Sequence, residues 1–168
     1  MKAAFIDTSA ALAVLFGEPD GEGLGRFLNS LDRLFASNLL EAEIRAAFLR
    51  EGINPRMASP FLSHVRWVLP DRPLTLELDA LAGCGVVLRG ADLWHVSCAL
   101  YLAGDLRRLP FVTLDRTQAK AAEAMGFLVY PETMRGNSFG SVGVFKAEES
   151  SPRYRVRHRS KKEGSQKR

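Results

Sequence analysis

The first nine residues are Met1-Lys2-Ala3-Ala4-Phe5-Ile6-Asp7-Thr8-Ser9, a short apolar run with an abrupt polar end. Residues 10–16 follow as an apolar, helix-competent segment. This order predicts a buried strand, a carboxylate at its carboxyl end and a helix that starts immediately afterwards. Because ligands and metal ions bind at the carboxyl ends of strands in open α/β sheets, Asp7 is the first candidate for a functional residue.

Short apolar segments alternate with longer helical patterns through residue 131. The predicted strands are residues 5–6, 34–36, 68–69, 111–114 and 127–130, and the predicted helices are residues 10–16, 21–31, 38–51, 55–67, 75–82, 92–103 and 116–125. Such alternation is typical of an α/β fold with a parallel sheet covered by helices on both faces.

Charge is distributed unevenly along the 168 residues. The net charge is +4, but residues 151–168 contain eight Lys and Arg against one Glu, so the first 150 residues carry −3. We place a domain boundary near Glu132 and expect residues 132–168, which are rich in Gly and Ser and then in Arg and Lys, to be flexible. An end-loaded basic charge suggests contact with nucleic acid.

Within this extension, the basic run could lie along an RNA backbone, with a tyrosine stacking on a base. The candidate residues are Arg153, Tyr154, Arg155 and Arg157. The alternative is a disordered tail with only a general affinity for polyanions.

Composition argues against several classes of protein. Cys84 and Cys98 have neither metal-site nor disulfide-framework spacing and are predicted to be reduced core residues. Asp7 interrupts the amino-terminal apolar stretch, and no charge-free run reaches the roughly 18 residues that a membrane span needs. We therefore expect a cytoplasmic protein.

Glu43 is the least expected acid, because it falls on the predicted apolar stripe of the helix at residues 38–50. An inward glutamate is costly unless it is paired or bound to a cation, although a glutamate at the helix edge could also reach water. Periodicity favours Glu43 over Glu41 as the inward acid. The predicted stripe consists of Leu39, Leu40, Ala46, Ala47 and Leu49.

The other candidate acids have ordinary explanations when each is considered alone. Asp7 and Asp92 are placed to cap helices, and Asp115 with Gln118 forms a capping box. Their shared position suggests more, because Asp7 and Asp115 both end buried strands at one edge of the sheet, and Glu43 and Asp92 lie near the starts of helices that can reach it.

A cluster of such acids requires a cation. Two carboxylates 4 Å apart repel by roughly 4 kcal/mol at an effective dielectric constant near 20. Oxygen-only ligands suit Mg²⁺ or Mn²⁺.

Four motifs in this order resemble the PIN-domain ribonucleases, most closely the VapC-like toxins of bacterial toxin–antitoxin pairs. The similarity covers about residues 1–131 and implies a three-layer α/β/α sandwich with a parallel sheet of about five strands in the order 3-2-1-4-5. The motifs are Phe5-Ile6-Asp7-Thr8-Ser9, Ser37-x5-Glu43-x-Arg45, Gly90-Ala91-Asp92-x2-His95 and Val112-Thr113-Leu114-Asp115-Arg116, the last followed by Ala121-Ala122 and Gly126.

The resemblance implies that a quartet of acids holds Mg²⁺ or Mn²⁺, which activates a water to hydrolyse RNA. Asp7 and Asp92 are expected to be direct ligands, whereas Glu43 and Asp115 act through water or orient the nucleophile. His95 is expected at the rim of the site, and a structural role is favoured for it. The small polar residues expected to support the quartet are Thr8, Ser9 and Thr113.

The resemblance also implies partners: an RNA substrate, an antitoxin whose basic side chain enters the acidic crevice, and a second copy in a homodimer, without a membrane. The alternative is an inactive PIN-type scaffold whose tail binds RNA and whose acids are helix caps. A metal-dependent phosphatase or receiver module is disfavoured for two reasons. The residue at position 9 and the neighbours of Asp7 are not a second Asp, and no Lys ends a late strand.

Overall fold

The computed structural model describes residues 2–103 and 109–132. Its strands are β1 (Ala3–Ile6), β2 (Arg33–Ser37), β3 (Val65–Val68), β4 (Phe111–Val112) and β5 (Val129–Tyr130). Its helices are α1 (Thr8–Phe16), α2 (Gly21–Asn29), α3 (Leu39–Arg50), α4 (Ser59–Leu62), α5 (Thr75–Ala82), α6 (Gly90–Leu102) and α7 (Arg116–Ala124), and a 3₁₀ turn at Pro55–Ala58 precedes α4.

All five strands are parallel and form one sheet in the order β3-β2-β1-β4-β5. The α/β/α fold and the strand order implied by the family resemblance are therefore confirmed. Phe5 of β1 pairs with Phe35 of β2 on one side and with Phe111 of β4 on the other. The direction of chain progress reverses between β1 and β4, so the crevice that α/β proteins use for ligands lies at the ends of these two strands.

Helices cover both faces of the sheet. Ala4 and Ile6 of β1 pack in a core with α1, α2, α3 and α4, whereas Phe5 packs in a second core with α5, α6 and α7. This alternation follows from the two-residue repeat of a strand. The Phe5 and Phe111 rings stack with centroids 5.6 Å apart. Burying a side chain of this size contributes about 1.5–3 kcal/mol, so the central strands are anchored from both faces.

Residues 55–67 do not form the single helix that the sequence predicted. They form the 3₁₀ turn, the single-turn helix α4 and most of β3, so the strand predicted at residues 68–69 begins three residues earlier. β3 pairs with β2 from Val65 to Val68, and both of these valines are buried. Pairing with β2 through the β-branched residues Val65 and Val68 outweighs the local helical pattern of this segment. By contrast, β4 and β5 are shorter than the strands predicted at residues 111–114 and 127–130, with two residues each.

Two further expectations concern cysteines and membranes. Cys98 is buried and Cys84 partly buried, and both are free thiols that pack in the second core. Within the described ranges, every helix is too short or too polar to span a lipid bilayer.

The predicted basic extension, including Arg153, Tyr154, Arg155 and Arg157, lies outside the described residues.

α1 and α2 approach each other most closely at Gly21. A Cβ atom on Gly21 would lie 2.2 Å from the carbonyl oxygen of Ala13 and 2.8 Å from its carbonyl carbon. Both atoms belong to the backbone, so rotation of a side chain cannot relieve the contact. By contrast, a Cβ atom on Gly23, two residues further along α2, would meet nothing within 4 Å.

We expect Gly21→Ala to destabilise the protein by about 1–3 kcal/mol, because α1 and α2 would have to separate. The matched control Gly23→Ala should stabilise it by about 0.5–1 kcal/mol, because alanine reduces the entropy that the unfolded chain loses in a helix. Urea denaturation monitored by circular dichroism measures both free energies of unfolding. Equal stability of the two variants would contradict the proposed close approach.

Candidate functional site

The carboxyl ends of β1 and β4 meet at one edge of the sheet. The Asp7 N–H donates to the Val112 carbonyl at 3.0 Å, and the Thr113 N–H donates to the Tyr130 carbonyl at 3.0 Å. Asp7 and Thr113 each directly follow the last residue of a strand, and those two residues, Ile6 and Val112, pair with each other. The sheet therefore places these two polar residues side by side, as the strand order required.

Asp7 is held by groups from both strand ends. Ser9 Oγ donates to the two carboxylate oxygens of Asp7 at 2.9 and 3.0 Å and is 3.3 Å from Thr113 Oγ1. The Ala10 N–H donates to Asp7 Oδ1 at 3.1 Å, which makes Asp7 the N-cap of α1. The Leu114 N–H donates to Ser9 Oγ at 2.9 Å, so the serine hydroxyl ties the turn after β4 to the turn after β1.

The same chain of hydrogen bonds continues to Asp115 and Asp92. The Asp115 N–H donates to Thr113 Oγ1 at 2.9 Å. The Gln118 N–H donates to Asp115 Oδ1 at 2.8 Å, and Gln118 Nε2 donates to Asp92 Oδ1 at 2.8 Å. We call this set the aspartate network; its members are Asp7, Ser9, Thr113, Asp115, Gln118 and Asp92.

The capping predictions for the three aspartates had different outcomes. Asp7 and Asp115 are N-caps, of α1 and α7 respectively. The prediction that Asp92 caps its helix is wrong, because α6 begins at Gly90 after the extended residue Arg89 and Asp92 lies in the first turn. The side chain of Asp92 is therefore not engaged by its own helix and instead contacts α7 through Gln118.

A second set of hydrogen bonds surrounds Glu43. His95 Nε2 lies 2.8 Å from Glu43 Oε2, and because a carboxylate only accepts, the imidazole donates. Thr8 Oγ1 donates to the same Glu43 oxygen. On the other side of the ring, His95 Nδ1 lies 2.9 Å from Ser37 Oγ. We call this set the glutamate network; it meets the aspartate network at the consecutive residues Thr8 and Ser9.

The predicted stripe on α3 is partly wrong. The buried positions are Leu40, Ile44, Ala47 and Phe48, which recur at helical spacing, whereas Leu49 is 66% exposed. Glu43 lies at the margin of this face, with its side chain 31% exposed, so it reaches the site from the helix edge. Its identification over Glu41 is supported, because Glu41 forms an exposed ion pair with Arg45 on the same helix at 2.6 Å.

Burial sets the protonation of Asp7. The residue is 1% exposed, and desolvation raises the pKa of its carboxyl from 3.8 to about 6. The Ala10 N–H, the charge of His95 and the hydroxyls of Ser9 and Thr113 lower the pKa but only partly offset the burial. In the absence of a bound cation, the folded protein therefore holds a proton on Asp7 under mildly acidic conditions.

Glu43 shows the opposite balance. Desolvation pushes its pKa upward, but the hydrogen bonds from His95 and Thr8 and the charge of His95 outweigh that effect and leave the pKa below its ordinary value. Glu43 is therefore ionised at neutral pH and can accept a proton or order a water.

The predictions from sequence missed two residues of these networks and misplaced a third. The sequence indicates Ser37 only as a residue of a family motif, and Gln118 only as half of a capping box. His95 was expected at the rim, but it is 1% exposed and lies between Ser37 and Glu43. Its position three residues after Asp92 was the available signal, since residues three apart lie on the same side of a helix.

The four acids share one edge but do not form a closed cage. Among residues 2–103 and 109–132, no three His, Cys, Asp or Glu side chains are close enough together to hold a metal ion. Hydroxyl and amide groups separate the carboxylates and reduce their repulsion. The donor set nevertheless fits Mg²⁺ or Mn²⁺, because it consists of oxygens and because Mg²⁺ commonly uses one or two carboxylates and keeps several waters.

Removing the Asp7 carboxyl should make stability less dependent on pH. Since the folded state binds the Asp7 proton up to about pH 6 and the unfolded state only up to about 3.8, stability falls as pH rises between these values, by about 3 kcal/mol in total. Asp7→Asn keeps a capping oxygen and has no titrating group. In EDTA, we expect it to match the parent near pH 4 and to exceed it by up to about 3 kcal/mol at pH 8.

Urea denaturation at pH 4, 6 and 8 measures this difference. A difference between variant and parent that does not change with pH would show that Asp7 titrates normally in the folded protein.

Known proteins support the relationship that the geometry suggests. A family model described as the PIN domain matches residues 4–124. Ribonuclease VapC46 of Mycobacterium tuberculosis is 31% identical over 131 residues, which cover 77% of this chain and 97% of that protein. No solved structure gives a significant match. With its strand order, its acids at the ends of β1 and β4 and this coverage, the chain belongs to the PIN-domain family.

Proposed function

We propose that this protein is a Mg²⁺- or Mn²⁺-dependent endoribonuclease and the toxin of a toxin–antitoxin pair. The main support is the aspartate network, which links Asp7, Asp115 and Asp92 at the crevice between β1 and β4. Membership of the PIN-domain family and a relative named as a ribonuclease support the same activity.

Asp7 and Asp92 are the residues that would hold the cation. The described hydrogen bonds to Asp92 and Asp115 reach only Oδ1 of each, so the second oxygen of each carboxylate can take part in further binding. When bound, a divalent cation lowers the pKa of water and offsets negative charge on a phosphodiester. Asp7 must lose its proton to bind a cation, so we expect cation binding to strengthen as pH rises through about 6.

Glu43 is proposed to order or deprotonate the attacking water. Its lowered pKa keeps it ionised, and the described donors, Thr8 and His95, both contact Oε2. The other oxygen, Oε1, therefore remains for water. Asp115 is proposed to act through water as well, because it also caps α7.

We also propose a small antitoxin as the partner that inhibits this site. A buried, partly protonated Asp7 would be stabilised in its charged form by a basic side chain inserted into the crevice. A short open reading frame next to the gene, whose product co-purifies with this chain and is released by Asp7→Asn, would support this partner. A homodimer remains an expectation from the family.

The alternative function is an inactive PIN-type scaffold. It is favoured by one observation, that Asp7 and Asp115 both serve as helix caps. Such a protein would bind RNA in a salt-dependent way without metal-stimulated cleavage.

Cleavage of total RNA in Mg²⁺, Mn²⁺ or EDTA tests the proposal. We expect the parent to cleave only with a divalent cation and Asp92→Asn to show no cleavage above background, because a cation ligand is lost. The control Asp79→Asn removes an exposed acid of α5 and should cleave like the parent. Cleavage by the parent in EDTA, or parental cleavage by Asp92→Asn, would overturn the assignment.

Substitutions on α3 test which glutamate acts in the site. Glu43→Gln should lower kcat by roughly 10²–10⁴-fold, the usual contribution of a positioned acid or base. Glu41→Gln, which breaks only an exposed ion pair, should leave kcat unchanged. Steady-state cleavage of one RNA substrate measures both kcat values, and equal effects of the two substitutions would contradict the role given to Glu43.

A further inference from the structure

Gln118 has an unusual arrangement at the start of α7. In a capping box, the glutamine side chain three residues after the N-cap accepts the N-cap N–H. Here Asp115 caps the Gln118 N–H in the ordinary way, but the Asp115 N–H donates to Thr113 Oγ1 instead. Because Thr113 satisfies that donor, the Gln118 side chain is available for another contact, and its Nε2 donates to Asp92 on α6.

This contact leaves another group of Gln118 unsatisfied. The residue is 3% exposed, and its Oε1 has no hydrogen-bond partner in the described part of the chain. A buried polar atom without a partner costs free energy and calls for an explanation. Rotating the amide by 180° would place Oε1 against the Asp92 carboxylate, where two acceptors repel. The orientation of the amide therefore provides a hydrogen bond to Asp92 and leaves Gln118 Oε1 without a partner among the described residues.

We infer that Gln118 is a positioning residue for the cation site, through a clamp that holds Asp115 with its backbone N–H and Asp92 with its side-chain amide. This inference rests on the proposed function, since it concerns the cation that Asp7 and Asp92 would bind. Gln118 contacts the Oδ1 atom of each carboxylate and neither of their Oδ2 atoms. It thereby fixes two acids from different helices relative to each other and leaves an oxygen of each for a cation or its waters.

Neutral N–H donors suit this task better than a cationic side chain. A lysine or arginine between Asp92 and Asp115 would neutralise their charge and compete with a divalent cation. An amide orients the carboxylates while preserving their charge, as partners of metal ligands commonly do.

Manganese binding tests the clamp independently of catalysis. Gln118→Met keeps the length of the side chain and removes both polar atoms. We expect its Kd for Mn²⁺, measured by isothermal titration calorimetry, to be about 10–100-fold higher than that of the parent. In EDTA its thermal midpoint should fall by no more than about 4 °C, because the lost hydrogen bond is offset by removal of the unpartnered oxygen.

Ser97→Ala is the matched control, because Ser97 Oγ is the other buried side-chain atom without a partner among the described residues. It should leave the Kd for Mn²⁺ unchanged. An unchanged Kd in Gln118→Met, or equal weakening in both variants, would overturn the inference.

A second measurement applies even if Gln118→Met does not fold. In NMR spectra of the parent, titration with Mg²⁺ should shift the signal of the Gln118 side-chain amide, and the midpoint of this shift should equal that of cation binding. The same signal should have a different position in the spectrum of Asp92→Asn. A signal that moves in neither case would contradict the clamp. If the parent binds no Mn²⁺, both the proposed function and the clamp are overturned. If the parent binds Mn²⁺ and cleaves RNA, and Gln118→Met has the same Kd for Mn²⁺ as the parent, only the clamp is overturned.

Discussion

The hydrogen bond from the Asp7 N–H to the Val112 carbonyl, 3.0 Å long, fixes the relation between two halves of the molecule. It is the last backbone hydrogen bond of the β1–β4 pair in the described structure before the two strands lead into α1 and α7. Because it sets the register, Thr113 Oγ1 comes within 3.3 Å of Ser9 Oγ, the hydroxyl that donates to the Asp7 carboxylate. A slip of one residue would turn Asp7 toward the opposite face of the sheet and dissolve the aspartate network.

The second constraint is electrostatic. Four acids at one edge of a sheet are costly, and the protein limits that cost with hydroxyls, backbone N–H groups, one imidazole and one amide. Burial raises the pKa of Asp7, whereas the two donors on a single oxygen of Glu43 leave the pKa of that residue lowered. In the proposed function the two residues have different roles: a cation would stabilise the buried carboxylate of Asp7, whereas Glu43 is charged without one. Burying the Asp7 carboxyl costs stability at neutral pH.

The fold and the positions of Asp7 and Asp115 at strand ends could be predicted because local signals mark them. Asp7 and Asp115 follow apolar runs and begin helices, and the order of elements then fixes the layers. β3 was misplaced because its pairing with β2 is a tertiary effect that no local window contains. Gln118 and His95 could not be assigned, since each acts across elements distant in sequence. Gln118 was understood through its own helix, and its contact with Asp92 depends on how α6 and α7 pack.

Anomalous diffraction from crystals grown with Mn²⁺ tests the central claim most directly, that the acids at the ends of β1 and β4 serve one divalent cation. The account predicts a manganese peak bonded to an oxygen of Asp7 and an oxygen of Asp92, with waters completing the coordination. A saturated crystal with manganese bound elsewhere, or with Asp7 and Asp92 too far apart to share one ion, would contradict it.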